Sequence, residues 1–178
     1  MAKKVFKTDL SVEGINNLKK ELLSYKTDFL QSRLVELVEK LAEKGVEIAK
    51  ANVTKLDAIF TGELIDSLHS EKGSASKGTA IFYIVTDSKH AAFVEFGTGV
   101  VGQNSPHKNG EYLSKAAWQY ATGPKIFTTQ DGRVGWIYPT DDGGFRFTEG
   151  MKSRPFMYET ALELQREFPR IAKEVFGT

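Results

Sequence analysis

Amphipathic helical stretches at both ends of this 178-residue chain, a β-branched strand near its middle and a hairpin signal beyond it predict an α+β fold. The length fits one domain over residues 1–178, because about 150 residues already bury roughly two-thirds of the surface the unfolded chain exposes.

Ser11 caps a first short helix that sets Val12, Ile15, Leu18, Leu22 and Leu23 on one side and turns Lys19, Lys20 and Glu21 to water. A longer helix over residues 26–52 repeats Leu30, Leu34, Leu37, Leu41 and Ile48 at three-four spacing, which lays one stripe on a core. Gly45 interrupts the stripe at about 1 kcal/mol of propensity against alanine, so it marks a bend or the close approach of another element. Thr61-Gly62 reads as an N-cap that leads a turn or short helix with Leu64, Ile65 and Leu68 inward. Residues 71–78 are a polar turn. Residues 79–86 have the β-branched and aromatic density of a strand buried on both faces.

Residues 90–96 fit a strand or a helical turn, since seven residues fix no period, and Gly97 ends them. From 100 to 150 glycine and asparagine are frequent, Pro106, Pro124 and Pro139 break the chain, and only residues 111–120 read as a short helix. Residues 134–138 and 145–148 flank Asp141-Asp142-Gly143-Gly144 as a hairpin with a slightly long loop. This stretch reads as an excursion from the same domain. The last helix has Pro155 in its first turn, where a missing N–H costs nothing. Met157, Thr160, Ala161, Leu164, Phe168, Ile171, Ala172 and Val175 form its inward stripe, with a kink at Pro169.

Composition narrows the chemistry. A net charge of +1 offers no electrostatic footprint for nucleic acid or anionic lipid. The absence of cysteine removes disulfides, thiolate nucleophiles and sulfur-ligated metals, and leaves oxygen and imidazole chemistry. The basic N-terminus has no apolar core of a signal peptide, and no apolar run nears the roughly 20 residues of a membrane span, so a soluble cytoplasmic product is expected.

Three constellations invite a catalytic reading, and each lacks its context. Gly97-Thr98-Gly99-Val100-Val101-Gly102 matches GxGxxG in form, but Gln103-Asn104-Ser105-Pro106 follows where a long helix should open, and no acidic residue stands near position 119. Asp66, Ser67 and His69 are neighbours in sequence without a nucleophile elbow. His69, His90 and His107, with Asp87 or Glu95, have no metal-ligand spacing. No cofactor and no metal are expected, and the reading is not of an enzyme. Glu95 is the most informative charge, set among Phe93, Val94 and Phe96; a carboxylate in such surroundings needs a partner, and Arg154 is the candidate.

Three runs remain: Thr61-Gly62-Glu63-Leu64-Ile65-Asp66-Ser67-Leu68, His90-Ala91-Ala92-Phe93-Val94-Glu95-Phe96-Gly97-Thr98-Gly99, and Gly150-Met151-Lys152-Ser153-Arg154-Pro155-Phe156-Met157. Their order, between a long N-terminal helix and a C-terminal helix, resembles the tail-completion (head-tail joining) family of long-tailed bacteriophages. Thr61, Gly62, Leu64 and Ser67 match its first element, Ala91, Val94, Glu95, Gly97 and Thr98 its second, and Pro155, Phe156 and Ala161 its last, across residues 11–176. The resemblance implies a small, mostly antiparallel sheet packed by the two helices. It also implies a structural virion protein in a ring, a hexamer by analogy, that touches other neck and tail proteins and has no membrane or specific nucleic-acid partner. Its place would be the tail or neck, after assembly from the host cytoplasm.

Rings need one face to complement a different face of the next copy. Trp118, Tyr120, Trp136 and Tyr138, in the excursion, are the candidate neighbour contacts, since aromatics on extended loops are enriched at interfaces; the alternative is a small satellite core. A tail terminator or tube protein, and a small cytoplasmic hydrolase or nucleotide-binding protein built around His90, Glu95 and the glycine run at 97–102, are the competing readings.

Overall fold

Ser11 opens a single long helix in place of the two expected. Helix α1, Val12–Lys55, runs for 44 residues, and the Ser11 hydroxyl accepts from the Gly14 N–H at 2.9 Å. Residues 23–26 contain neither proline nor glycine, so nothing there stops propagation. At 1.5 Å per residue α1 is roughly 66 Å long. The computed structural model describes residues 11–58, 62–76, 78–120, 126–140 and 142–177. The cap expected at Thr61, the break at Pro124, Asp141 of the hairpin loop and the basic start of the chain lie outside them.

The second half of α1 carries the fold. Helix α6, Phe156–Phe176, runs antiparallel to it: Leu37 packs on Ile171 and Val175 at one end, and Asn52 meets Thr160 at 3.4 Å near the other. Helix α6 continues through Pro169. Two of its expected inward residues, Ala161 and Phe168, are exposed. Both sit at the edge of the arc centred on Thr160, Leu164, Ile171 and Val175, beyond the width of one facing helix.

Strands β1, His69–Ser76, and β2, Thr79–Val85, form an antiparallel hairpin in register from His69↔Val85 to Ser76↔Thr79, with an irregularity between Lys72 and Ala75. Residues 71–76, expected as a turn, are thus strand. Nor is β2 buried on both faces: Ile81 and Tyr83 are exposed. One face of the hairpin lies on α1, and among the described residues no further layer lies on the other, so polar residues are tolerated along β1. Gly45 permits the approach, since a Cβ there would strike the Ile84 side chain. The Gln31 side chain holds the hairpin tip, donating to the Thr79 carbonyl at 3.1 Å and accepting from the Gly78 N–H at 2.7 Å.

Gln31 also marks where cover ends. Val12, Ile15, Leu22, Leu23 and Leu30, expected to face a core, are exposed, because α1 projects past the hairpin.

Between the helices lie short elements: α2, Glu63–Ser67; α3, Ala91–Phe96; α4, Gly99–Asn104; and α5, Gly110–Lys115. The helix expected over 111–120 stops at Lys115, and α4 had no sequence signal. A second antiparallel sheet, in the order β3-β4-β5, comprises Phe127–Thr128, Val134–Pro139 and Phe145–Thr148, with the expected hairpin between the last two. Strand β6, Gly150–Met151, follows. The chain is α+β, with a long N-terminal helix, a C-terminal helix and small antiparallel sheets. Among the described residues no helix is long and apolar enough to cross a membrane.

Candidate functional site

The three runs that carry the family resemblance meet in one core. Leu64 and Leu68 from the first, Val94 from the second and Phe156 from the third pack with Ala49, Val53 and Ala58. Gly62, with φ +83°, precedes α2 at its N-cap and supplies no side-chain cap.

Helix α6 begins with no capping group of its own, since Pro155 occupies the N-cap position and offers no side-chain acceptor. Glu95, at the end of α3, fills that role. Its Oε2 accepts from the Met157 N–H at 2.9 Å, and its Oε1 accepts from the Tyr158 N–H at 3.1 Å. A carboxylate at a helix N-terminus also meets the positive end of the helix dipole. The residue is only 4% exposed. Burial pushes its pKa up, and the Met157 and Tyr158 N–H groups and His107 pull it back only in part.

His107 is the partner that sequence reasoning missed. Its Nε2 lies 3.2 Å from Glu95 Oε1, and its Nδ1 accepts from the Asn109 N–H at 3.0 Å. Nδ1 also lies 3.2 Å from the Asn109 carbonyl, a contact that needs a proton on Nδ1, so these distances assign no tautomer and the Nε2–Oε1 contact is one hydrogen bond between ring and carboxyl. Arg154, the expected partner, does not pair with Glu95. Its N–H donates to the Val94 carbonyl at 2.8 Å, and its Nε is buried without a hydrogen-bond partner. The backbone of residues 153–154 lies along the end of α3 instead, and the Ser153 hydroxyl donates to the Glu95 carbonyl at 2.6 Å.

Around this junction lies a ring cluster. Phe96 sits 5.1 Å from Trp118 and 5.5 Å from His107, and Tyr158 meets His107 edge-on at 5.3 Å. The Trp118 indole N–H donates to the Gly97 carbonyl at 2.9 Å. Gly97, with φ +80°, terminates α3, and a Cβ there would lie 2.7 Å from the Ser153 nitrogen. Beyond it Thr98 and Gly99 bridge Met151 and Gly150 in antiparallel fashion, and Thr98 Oγ1 accepts from the Met151 N–H at 3.2 Å. The glycine-rich run is therefore a close-packed seam against residues 149–153. Helix α4 does open within it, but it has six residues and follows a helix where a dinucleotide site needs a strand.

The other constellations do not assemble. The Ser67 hydroxyl contacts Thr86 Oγ1 at 2.6 Å, while the His69 ring reaches the Ser67 carbonyl and not its hydroxyl. That carbonyl, then Glu71, raise the His69 pKa. His90 stacks near Phe93, apart from His107. Among the described residues no group of three histidine and carboxylate side chains is placed to hold a metal ion.

Of the aromatics in the excursion, Trp118, Tyr120 and Trp136 line one open cleft of about 460 Å³, together with Gly99, Gln103 and Val134. Tyr120 has a buried hydroxyl without a hydrogen-bond partner. Tyr138, two residues beyond Trp136 on β4, is half-buried.

No family model, curated protein or solved structure matches this chain.

Proposed function

We propose that this chain is a structural part of a long-tailed phage virion, completing the tail or joining it to the head as one subunit of a neck ring. One observation carries the reading: the residues of the family resemblance are those that lock three distant segments together at Glu95. Glu95 caps the helix that Pro155 and Phe156 open, Gly97 and Thr98 seat the strand before it, and Leu64 packs beneath. A pattern that fixes shape suits a scaffold. Both Glu95 oxygens are engaged within the chain, and His107 is only 4% exposed, which suits a clamp better than a reacting pair.

The partners follow from the reading: further copies of the chain, and neighbouring neck and tail proteins. Electron microscopy of the encoding phage after deletion of this gene is the test. Full heads beside finished but unjoined tails support joining. Tails of uncontrolled length would assign the chain to termination, and normal virions would remove it from the particle altogether.

A further inference from the structure

The glycine run at 97–102 does more than seat residues 149–153, because each of its glycines also holds one aromatic ring. The Gly97 carbonyl accepts from the Trp118 indole N–H at 2.9 Å. A Cβ at Gly99 would lie 2.8 Å from Trp136 Cζ3, and one at Gly102 would lie 2.9 Å from Tyr120 Cδ1, so both rings rest on the bare backbone of α4. The same three rings wall the cleft of about 460 Å³. Rings fixed in advance cost a ligand little ordering entropy.

The lining selects the ligand. Among the described residues no charged side chain lines the cleft. A charged ligand would lose hydration there and meet no counter-charge, which disfavours phosphates and nucleic acid. A proline-rich peptide needs donors for its bare carbonyls. The Trp118 indole N–H is already bonded to the Gly97 carbonyl, and the Gly99 N–H donates to the Tyr120 carbonyl at 2.7 Å. The exposed polar side chains of the lining are the amides of Gln103 and Gln119. Each amide offers a donor and an acceptor side by side, which suits a hydroxyl that both donates and accepts. A ring with hydroxyls on its edge and C–H groups on its face meets both demands, since C–H groups are drawn to the negative face of an aromatic ring.

We propose that this cleft binds a neutral saccharide, stacked on the rings of Trp118, Tyr120 and Trp136 and hydrogen-bonded through its hydroxyls to Gln103 and Gln119. The volume lies within the range of small-ligand sites. This inference goes beyond the virion reading and stands without it. Saccharide binding by a chain whose deletion leaves virions normal would refute that reading and not this one. Neighbouring copies that meet at Trp136 use the same surface, so saccharide and ring contact exclude one another there.

Trp118 and Trp136 are the only tryptophans of the chain, so intrinsic fluorescence of the full-length protein reports on the cleft. The protein is titrated with the hexasaccharides of maltose, cellulose, chitin and xylan, and in parallel with decaproline and an oligogalacturonate. At least one neutral hexasaccharide gives a saturable change, and decaproline and the anionic sugar give none. Gln103→Leu and Gln119→Leu each weaken that binding roughly tenfold, as loss of an amide that makes two hydrogen bonds should. Circular dichroism shows that both variants keep the wild-type fold, as expected at exposed positions. No saturable change with any of the four neutral sugars, tighter binding of decaproline or of the oligogalacturonate, or unaltered affinity in both glutamine variants would overturn the proposal.

Discussion

Replacing Glu95 with alanine would leave the Met157 and Tyr158 N–H groups without an acceptor and the buried His107 Nε2 without its hydrogen-bond partner. An unsatisfied buried donor costs about 1–3 kcal/mol, and partial hydration of the space left behind lowers the sum, so the loss is about 3–5 kcal/mol. Removal of an ordinary helix cap costs about 1 kcal/mol, so the excess measures burial. Glu95→Gln keeps one acceptor oxygen and loses the other, for a loss of about 1–2 kcal/mol. Urea denaturation reads both, and the alanine variant's midpoint should fall by roughly 1–3 M. The pH dependence adds a second readout. Burial raises the folded pKa of Glu95, so the folded state holds this proton more tightly than the unfolded chain does. Its contribution favours folding most below the ordinary glutamate value of 4.5, declines as pH climbs from there to the raised folded value, and is constant above. The difference between wild type and Glu95→Gln should carry that slope. An alanine variant within about 0.5 kcal/mol of wild type, or a glutamine variant less stable than alanine, would refute the capping account.

Further substitutions probe the seam, the helix–hairpin contact and the cleft. Gly97→Ala forces a left-handed φ of +80° and a clash with the Ser153 backbone, and should cost about 3 kcal/mol, or roughly 6–12 °C in Tm; Gly78→Ala, at φ +76° in open space, should cost about 1 kcal/mol. Gly45→Ala meets the tip of Ile84, so a double-mutant cycle with Ile84→Val should recover about 1 kcal/mol; strict additivity would place the two elements further apart. Trp136→Ser should keep the monomer folded by near-ultraviolet circular dichroism while weakening ring assembly by mass, and global unfolding would assign Trp136 to the core instead.

The elements legible in the sequence were those with a long period or a strong local cap. Ser11, the leucines at 34, 37 and 41, and the residues 160, 164, 171 and 175 located both long helices, because a stripe over many turns outweighs local ambiguity. Strand β1 was hidden because Glu71, Lys72 and Ser74 are exposed, and a hairpin backed on one face leaves its polar strand without a pattern. Helix α4 was hidden because tertiary contact makes it: Val101 donates to the Glu149 carbonyl, across a seam no window of residues contains. At the site, Glu95 was legible as a charge out of place. Its partner was not, because His107 lies twelve positions away behind a proline. A usable signal existed at the other end of the contact: a helix opened by Pro155 without a serine, threonine, aspartate or asparagine at its N-cap needs an acceptor from elsewhere.

The distance in sequence between Glu95 and the amides it caps, 62 and 63 positions, bears on biosynthesis. A ribosome releases α3 well before the last helix emerges, so the nascent chain carries a carboxylate whose donors have not yet been made. Until α6 packs, only water can replace those donors, so the pocket around Phe96 and His107 is expected to close with the carboxy-terminal helix. A polypeptide terminated before Met157 would retain an ionised group its own core cannot accept, and would be recognised by proteases as unfinished.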